Sequence, residues 1–133
     1  MSVTFSELCI DSGDPGSLAA FWAEALGWNL GEVDDDGAEV LNPSGFPPTL
    51  LFVPVPESKT VKNRLHIDIS PEPGRQLTEV QRLLDLGARH VDVGQGQQSW
   101  VVLADPEGNE FCVLGGVDPD DEDEDEVEDY LEE

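Results

Sequence analysis

Apolar residues recur along this chain at two spacings, and the two alternate in an order that occurs twice. Residues 3–10 (VTFSELCI) read as a strand, with Val3, Phe5 and Cys9 set against Thr4, Ser6 and Leu8 in imperfect alternation. Asp14 then stands where a helix cap would, with Pro15 at the first helical position. Leu18, Ala19, Phe21, Trp22, Ala25 and Leu26 follow at helical spacing until Gly27. Three extended pieces come next, at 28–33, 38–41 and 49–55. An acidic turn at 34–37 and an Asn-Pro-Ser-Gly turn at 42–45 separate them. Pro54 and Pro56 remove ladder donors, so residues 54–58 read as a linker.

The order then repeats. Residues 64–69 (RLHIDI) form a strand that puts His66 and Asp68 on one face, and 71–74 form a turn. Residues 76–86 give an amphipathic helix whose stripe is Leu77, Val80, Leu83 and Leu84, and Gly87 ends it. Strands are expected at 91–93, 99–104 and 109–114. Gly27 matches Gly87 at an offset of 60, the turn at 42–45 matches Asp-Pro-Glu-Gly at 105–108 at 63, and Glu7 matches His66 at 59. Near-constant offsets over several landmarks mark an internal repeat of a βαβββ unit. The fold class read from this is α+β, two paired βαβββ modules forming a half-open barrel. Module one spans 3–56 and module two 62–116, within a domain of residues 1–117. Pairing the modules buries their apolar faces and leaves a cleft between them.

Composition narrows the function. The formal net charge is -24, from 30 acidic and 6 basic residues, which argues against nucleic acid and anionic membranes as partners. Twelve of those 30 acids lie in 118–133, a block too charged to build a core and expected to be disordered. All 6 basic residues fall between Lys59 and Arg89. The sequence contains no apolar run near the roughly 18 residues of a membrane span and opens on no basic leader. Cys9 and Cys112 form no CxxC pair and lie in apolar stretches, which suits a reducing compartment, so a cytoplasmic protein is expected.

Chemistry concentrates on the last strand. Alternation puts Glu110 and Cys112 on one face and Phe111 and Val113 on the other, so that face is partly polar. The simple reading of Glu110 is a solvated mouth residue and of Cys112 a small buried hydrophobe. Trp100 is placed either to stack on a flat or cationic ligand or to pack in the core. Lys59, Lys62 and Arg64 lead into the His66 strand, as a solvated edge or as a holder for an anion at the cleft rim.

The motifs LxxFWxxxLGW at 18–28, RLHID at 64–68, LGA at 86–88 and DPEGNEFCVL at 105–114 together resemble the glyoxalase-like domain of the vicinal oxygen chelate superfamily. That superfamily includes glyoxalases, bleomycin-resistance proteins and extradiol dioxygenases. The resemblance implies metal ligands on the first and last strands of each module. Here those positions are Glu7 and His66 on the first strands and Leu51 and Cys112 on the last. Leucine binds no metal, and a thiolate disfavours hard cations. The expectation is therefore a small-molecule binding protein of the resistance or sequestration type, probing its ligand with Glu7, His66, Trp100, Glu110 and Cys112 and needing no cofactor. A cationic or aromatic ligand fits the acidic surface and the tryptophan. The alternative is a lyase or isomerase of the glyoxalase type. It would use a divalent metal such as zinc on Glu7, His66 and Cys112, or a Glu7–His66 acid–base pair, with Glu110 as base. A homodimer is implied by the resemblance.

Overall fold

The computed structural model describes residues 3–91 and 100–115. The elements run β1 (Glu7–Ser12), α1 (Pro15–Leu26), β2 (Asn29–Asp34), β3 (Gly37–Leu41) and β4 (Thr49–Pro54). They continue with β5 (Ile67–Ile69), α2 (Gln76–Leu86), β6 (Arg89–His90), β7 (Val101–Ala104) and β8 (Glu110–Val113). This is βαβββ twice. The strands form two four-stranded sheets of order β1-β4-β3-β2 and β5-β8-β7-β6, so each first strand lies parallel to the last strand of its own module. The tail at 118–133 lies outside the described residues, as do Val93 and Ser99 at the ends of two expected strands.

Several boundaries differ from the sequence pattern for a common reason. β1 starts at Glu7, not Val3, because its ladder begins where Glu7 meets Thr49, the first residue of β4. Val3 and Phe5 are left exposed. β5 keeps only the second half of the expected 64–69 strand, because its pairing with β8 begins at Ile67 opposite Phe111, and Glu110 before it pairs only with β7. A strand exists only as far as something pairs with it.

α1 is built as the sequence suggests. The Asp14 carboxylate accepts from the Ser17 amide, Pro15 occupies the first turn, and Gly27 ends the helix in the left-handed conformation at φ 68°. Gly37 is constrained otherwise: a Cβ there would lie 2.5 Å from the Phe52 carbonyl oxygen at φ 146°, so the β2–β3 turn admits only glycine.

One core joins both sheets through α1. Leu18, Ala19, Phe21, Trp22, Ala23 and Ala25 are all buried, and the same cluster takes in Val40, Leu50 and Phe52 of the first sheet and Leu103, Phe111 and Val113 of the second. Three rings meet there edge to face: Trp22 lies 4.9 Å from Phe111 and 5.3 Å from Phe21 between centroids. The indole Nε1–H donates to Asp105 at 3.0 Å. Asp105 is itself 1% exposed, a position a carboxylate tolerates only when its oxygens are filled. The backbone N–H groups of Glu107 and Asn109 and the Asn109 side-chain amide also donate to it.

Candidate functional site

A cleft of about 500 Å³ opens between β1 and the segment that carries the chain from β4 into β5. Leu8, Ile10 and Ile67 contribute apolar surface, while Asp11, Glu57, Lys59, Asn63, Arg64, His66 and Glu110 supply polar groups. Alternation explains the mixture. Leu8 and Ile10 pack toward the core, whereas Cys9 and Asp11 are exposed on the opposite face of β1.

Glu110 is held firmly. Its carboxylate accepts from the Lys59 ammonium at 3.0 Å and from the Asn63 backbone N–H at 3.0 Å. Burial works against the charge, yet the Asn63 amide and Lys59 outweigh it and hold the carboxyl below its ordinary range. A carboxylate so occupied is a poor proton acceptor, so the general-base role considered for Glu110 would first require Lys59 and Asn63 to let go.

A second group sits on the strand pair beside the cleft. His66 Nδ1 lies 3.2 Å from Asp68 Oδ1 and 3.9 Å from Cys112 Sγ, and the ligand atoms of the three residues lie within 4.8 Å of one another. Asp68 faces Cys112 in the β5–β8 register, which fixes their closeness through the backbone. Burial, with the neighbouring Asp68 carboxylate, pushes the Cys112 thiol up, and Lys62 only partly offsets this. The thiol therefore keeps its proton and is a weak nucleophile. The same imidazole nitrogen faces both partners, so the three do not form a relay in which one ring nitrogen takes a proton and the other is oriented.

This trio does suit a soft divalent cation in size. Bonds of about 2.0 to 2.3 Å to nitrogen, oxygen and sulfur set tetrahedral ligands roughly 3.3 to 3.8 Å apart, close to the 3.2 and 3.9 Å that separate His66 Nδ1 from its two partners. His66, Asp68 and Cys112 would hold such an ion with one position open, and the ion would supply Lewis acidity and displace the thiol proton.

The structure distributes the residues singled out by the sequence. His66 and Glu110 line the cleft, and Cys112, buried, adjoins His66. Glu7 opens β1 opposite Thr49, exposed and outside the cleft lining; among the described residues it makes no side-chain hydrogen bond to His66. Trp100 precedes β7, 37% exposed, and is likewise outside the lining. Leu51 pairs with Cys9 just as Cys112 pairs with Asp68. Asp68 was visible in the sequence as the residue two after His66 on the same strand face, the signal that would have added it. Lys59 was offered by the sequence as a holder for an anion at the rim, but neither it nor Asn63 signalled Glu110 as partner, which lies 51 and 47 residues away.

Residues 7–114 match the family model described as glyoxalase-like domain. No curated protein matches the chain. Among solved structures, the fosfomycin resistance protein FosX from Listeria monocytogenes superposes with a TM-score of 0.67 at 14% identity, covering 88% of this chain and 94% of that one. A possible glyoxalase from Bacillus cereus gives 0.64 at 17% identity, over 85% and 99%. A glyoxalase/bleomycin resistance protein/dioxygenase family enzyme from Burkholderia phytofirmans PsJN gives 0.64 at 16%, over 80% and 94%. Likeness at such identities concerns the fold.

Proposed function

The chain belongs to the glyoxalase-like domain family, and on that premise we propose that it binds a small organic molecule in the cleft and sequesters it. The observation that carries this reading is the cleft itself: about 500 Å³, with apolar surface from both modules beside polar groups. Leu8, Ile10 and Ile67, each only partly buried, favour an aromatic or otherwise flat apolar body. Asp11 and Glu57, which make no ion pair among the described residues, suit a cationic substituent. Sequestration is favoured over turnover because Glu110, the cleft carboxylate considered as a general base, is neutralised by Lys59.

The test is a thermal-shift screen of aromatic and cationic small molecules against the full chain and a Cys9→Trp variant. Cys9 lines the cleft but is exposed, so the indole fills the cleft without entering the core. Compounds that raise Tm in the parent and not in the variant support the reading. Equal shifts in both proteins would sink it.

A second reading rests on the His66, Asp68 and Cys112 group: a divalent metal held there, serving a lyase or isomerase. Elemental mass spectrometry of untagged protein beside His66→Ala separates the two. Near-stoichiometric zinc lost in the variant favours the enzyme, and a metal-free protein after zinc, nickel and manganese have been added favours sequestration.

A further inference from the structure

The segment that enters β5 has an unusual surface. Val61 is 74% exposed and Leu65 79%, far more than large aliphatic side chains normally show. Lys62 and Arg64 alternate with them, exposed, and neither forms an ion pair among the described residues. Lys59, by contrast, is committed to Glu110. Residues 61–65 therefore present two exposed cations without an ion pair among the described residues and two exposed aliphatic side chains at the mouth of the cleft, which Arg64 and Leu65 line.

The chain carries a complement to this surface. Residues 118–133 hold 12 acids and no base, with Val127, Tyr130 and Leu131 as their large apolar side chains. The described chain leaves β8 beside β5, where the Leu114 amide donates to the Ile69 carbonyl at 2.8 Å. From Ile69 back to Leu65 is four residues, roughly 13 Å along an extended chain. Tyr130 lies 15 residues beyond Gly115, a reach of up to about 50 Å. Reach is ample, and contact within one chain is favoured by high effective concentration.

We propose that the acidic segment 118–133 docks on residues 61–65 of its own chain, with acids on Lys62 and Arg64 and apolar side chains on Val61 and Leu65. Its hold weakens with salt, as screening of exposed charges requires.

The lysine content makes the test direct, since Lys59 and Lys62 are the only lysines in the chain. The full-length protein is treated with a carbodiimide, which joins an amine to a carboxylate in contact, and the linked peptides are mapped by mass spectrometry. In 20 mM salt the monomer is expected to show links from Lys62 to acids within 118–133. They should fall at least tenfold in 500 mM salt, and at least tenfold in an Arg64→Glu/Leu65→Asp variant that keeps Lys62 as reporter. Both altered side chains are exposed, and an unchanged circular dichroism spectrum confirms the fold. The proposal is overturned by an absence of such links, by links that persist unchanged in the variant, or by links confined to covalent dimers, which would place a second copy on this surface.

Discussion

The two modules repeat one plan and put it to different uses. Their closing turns are alike in detail. Asn42 Oδ1 accepts from the Ser44 amide at 3.0 Å as Asp105 Oδ1 accepts from the Glu107 amide at 2.9 Å, and Gly45 and Gly108 each donate back across the turn. Beyond that the turns diverge. Ser44 accepts from the nearby Phe46 amide, whereas the Glu107 carboxylate crosses to module one and accepts from the Ser12 hydroxyl and the Gly13 and Asp14 amides. The helices part in the same way: α1 has six buried residues and α2 two, Val80 and Leu83. On the facing strands, Glu7, Cys9 and Leu51 stand in module one where module two has His66, Asp68 and Cys112. Module one has taken the core and module two the reactive side chains.

Exchanging equivalent positions tests this division most severely in the helices. At the offset of 60, Trp22 corresponds to Arg82. Trp22→Ala should cost about 3 to 5 kcal/mol in urea unfolding, because it empties the centre of the core and strips a donor from buried Asp105. Arg82→Ala should cost only about 1 kcal/mol, since its guanidinium, half exposed, bonds to the Glu24 and Ala25 carbonyls at the end of α1. Equal losses would erase the asymmetry. Next in size, Glu107→Gln should lower stability by about 1 to 2 kcal/mol, whereas Ser44→Ala at the equivalent turn position stays within about 0.5 kcal/mol.

Glu110 offers a pH-dependent contrast. Its carboxyl is held below the ordinary value of 4.5, so the stability it contributes is present above that pH and lost as pH falls through the lower, folded-state value. The stability advantage of the parent over Glu110→Gln should therefore be constant near neutrality and shrink below about pH 4.5, as read by urea midpoints at a series of pH values. The smallest effect concerns the thiols. Exposed Cys9 should react with an aromatic disulfide reagent at pH 8 at least tenfold faster than Cys112, which is buried and keeps its proton. Cys9→Ser should abolish the fast phase alone.

Much of the fold could be read from the chain because its signals are local. Pro15, Gly27 and Gly87 marked helix ends that the structure keeps, and the offsets near 60 between turns, helix ends and first strands marked the repeat. The contacts that give the modules their separate characters are not local. Glu107 meets Ser12 across 95 residues and Glu110 meets Lys59 across 51, and no periodicity encodes such a meeting. The candidate site was legible where a residue's own strand carried it, as for His66, Glu110 and Cys112. Asp68 was on the same face but was passed over, because the expected ligand positions directed attention to Glu7.

The reach of Glu107 also bears on how the molecule comes apart. Its carboxylate secures the turn from which α1 starts, and α1 in turn supplies the surface on which Phe111 and Trp22 meet. Opening the boundary between the halves thus frays the helix that both sheets share, so neither repeat retains a core to stand on. A chain cut between residues 56 and 62 should yield two fragments that are each unfolded in isolation and regain helix only when mixed. A structure written twice in sequence melts once.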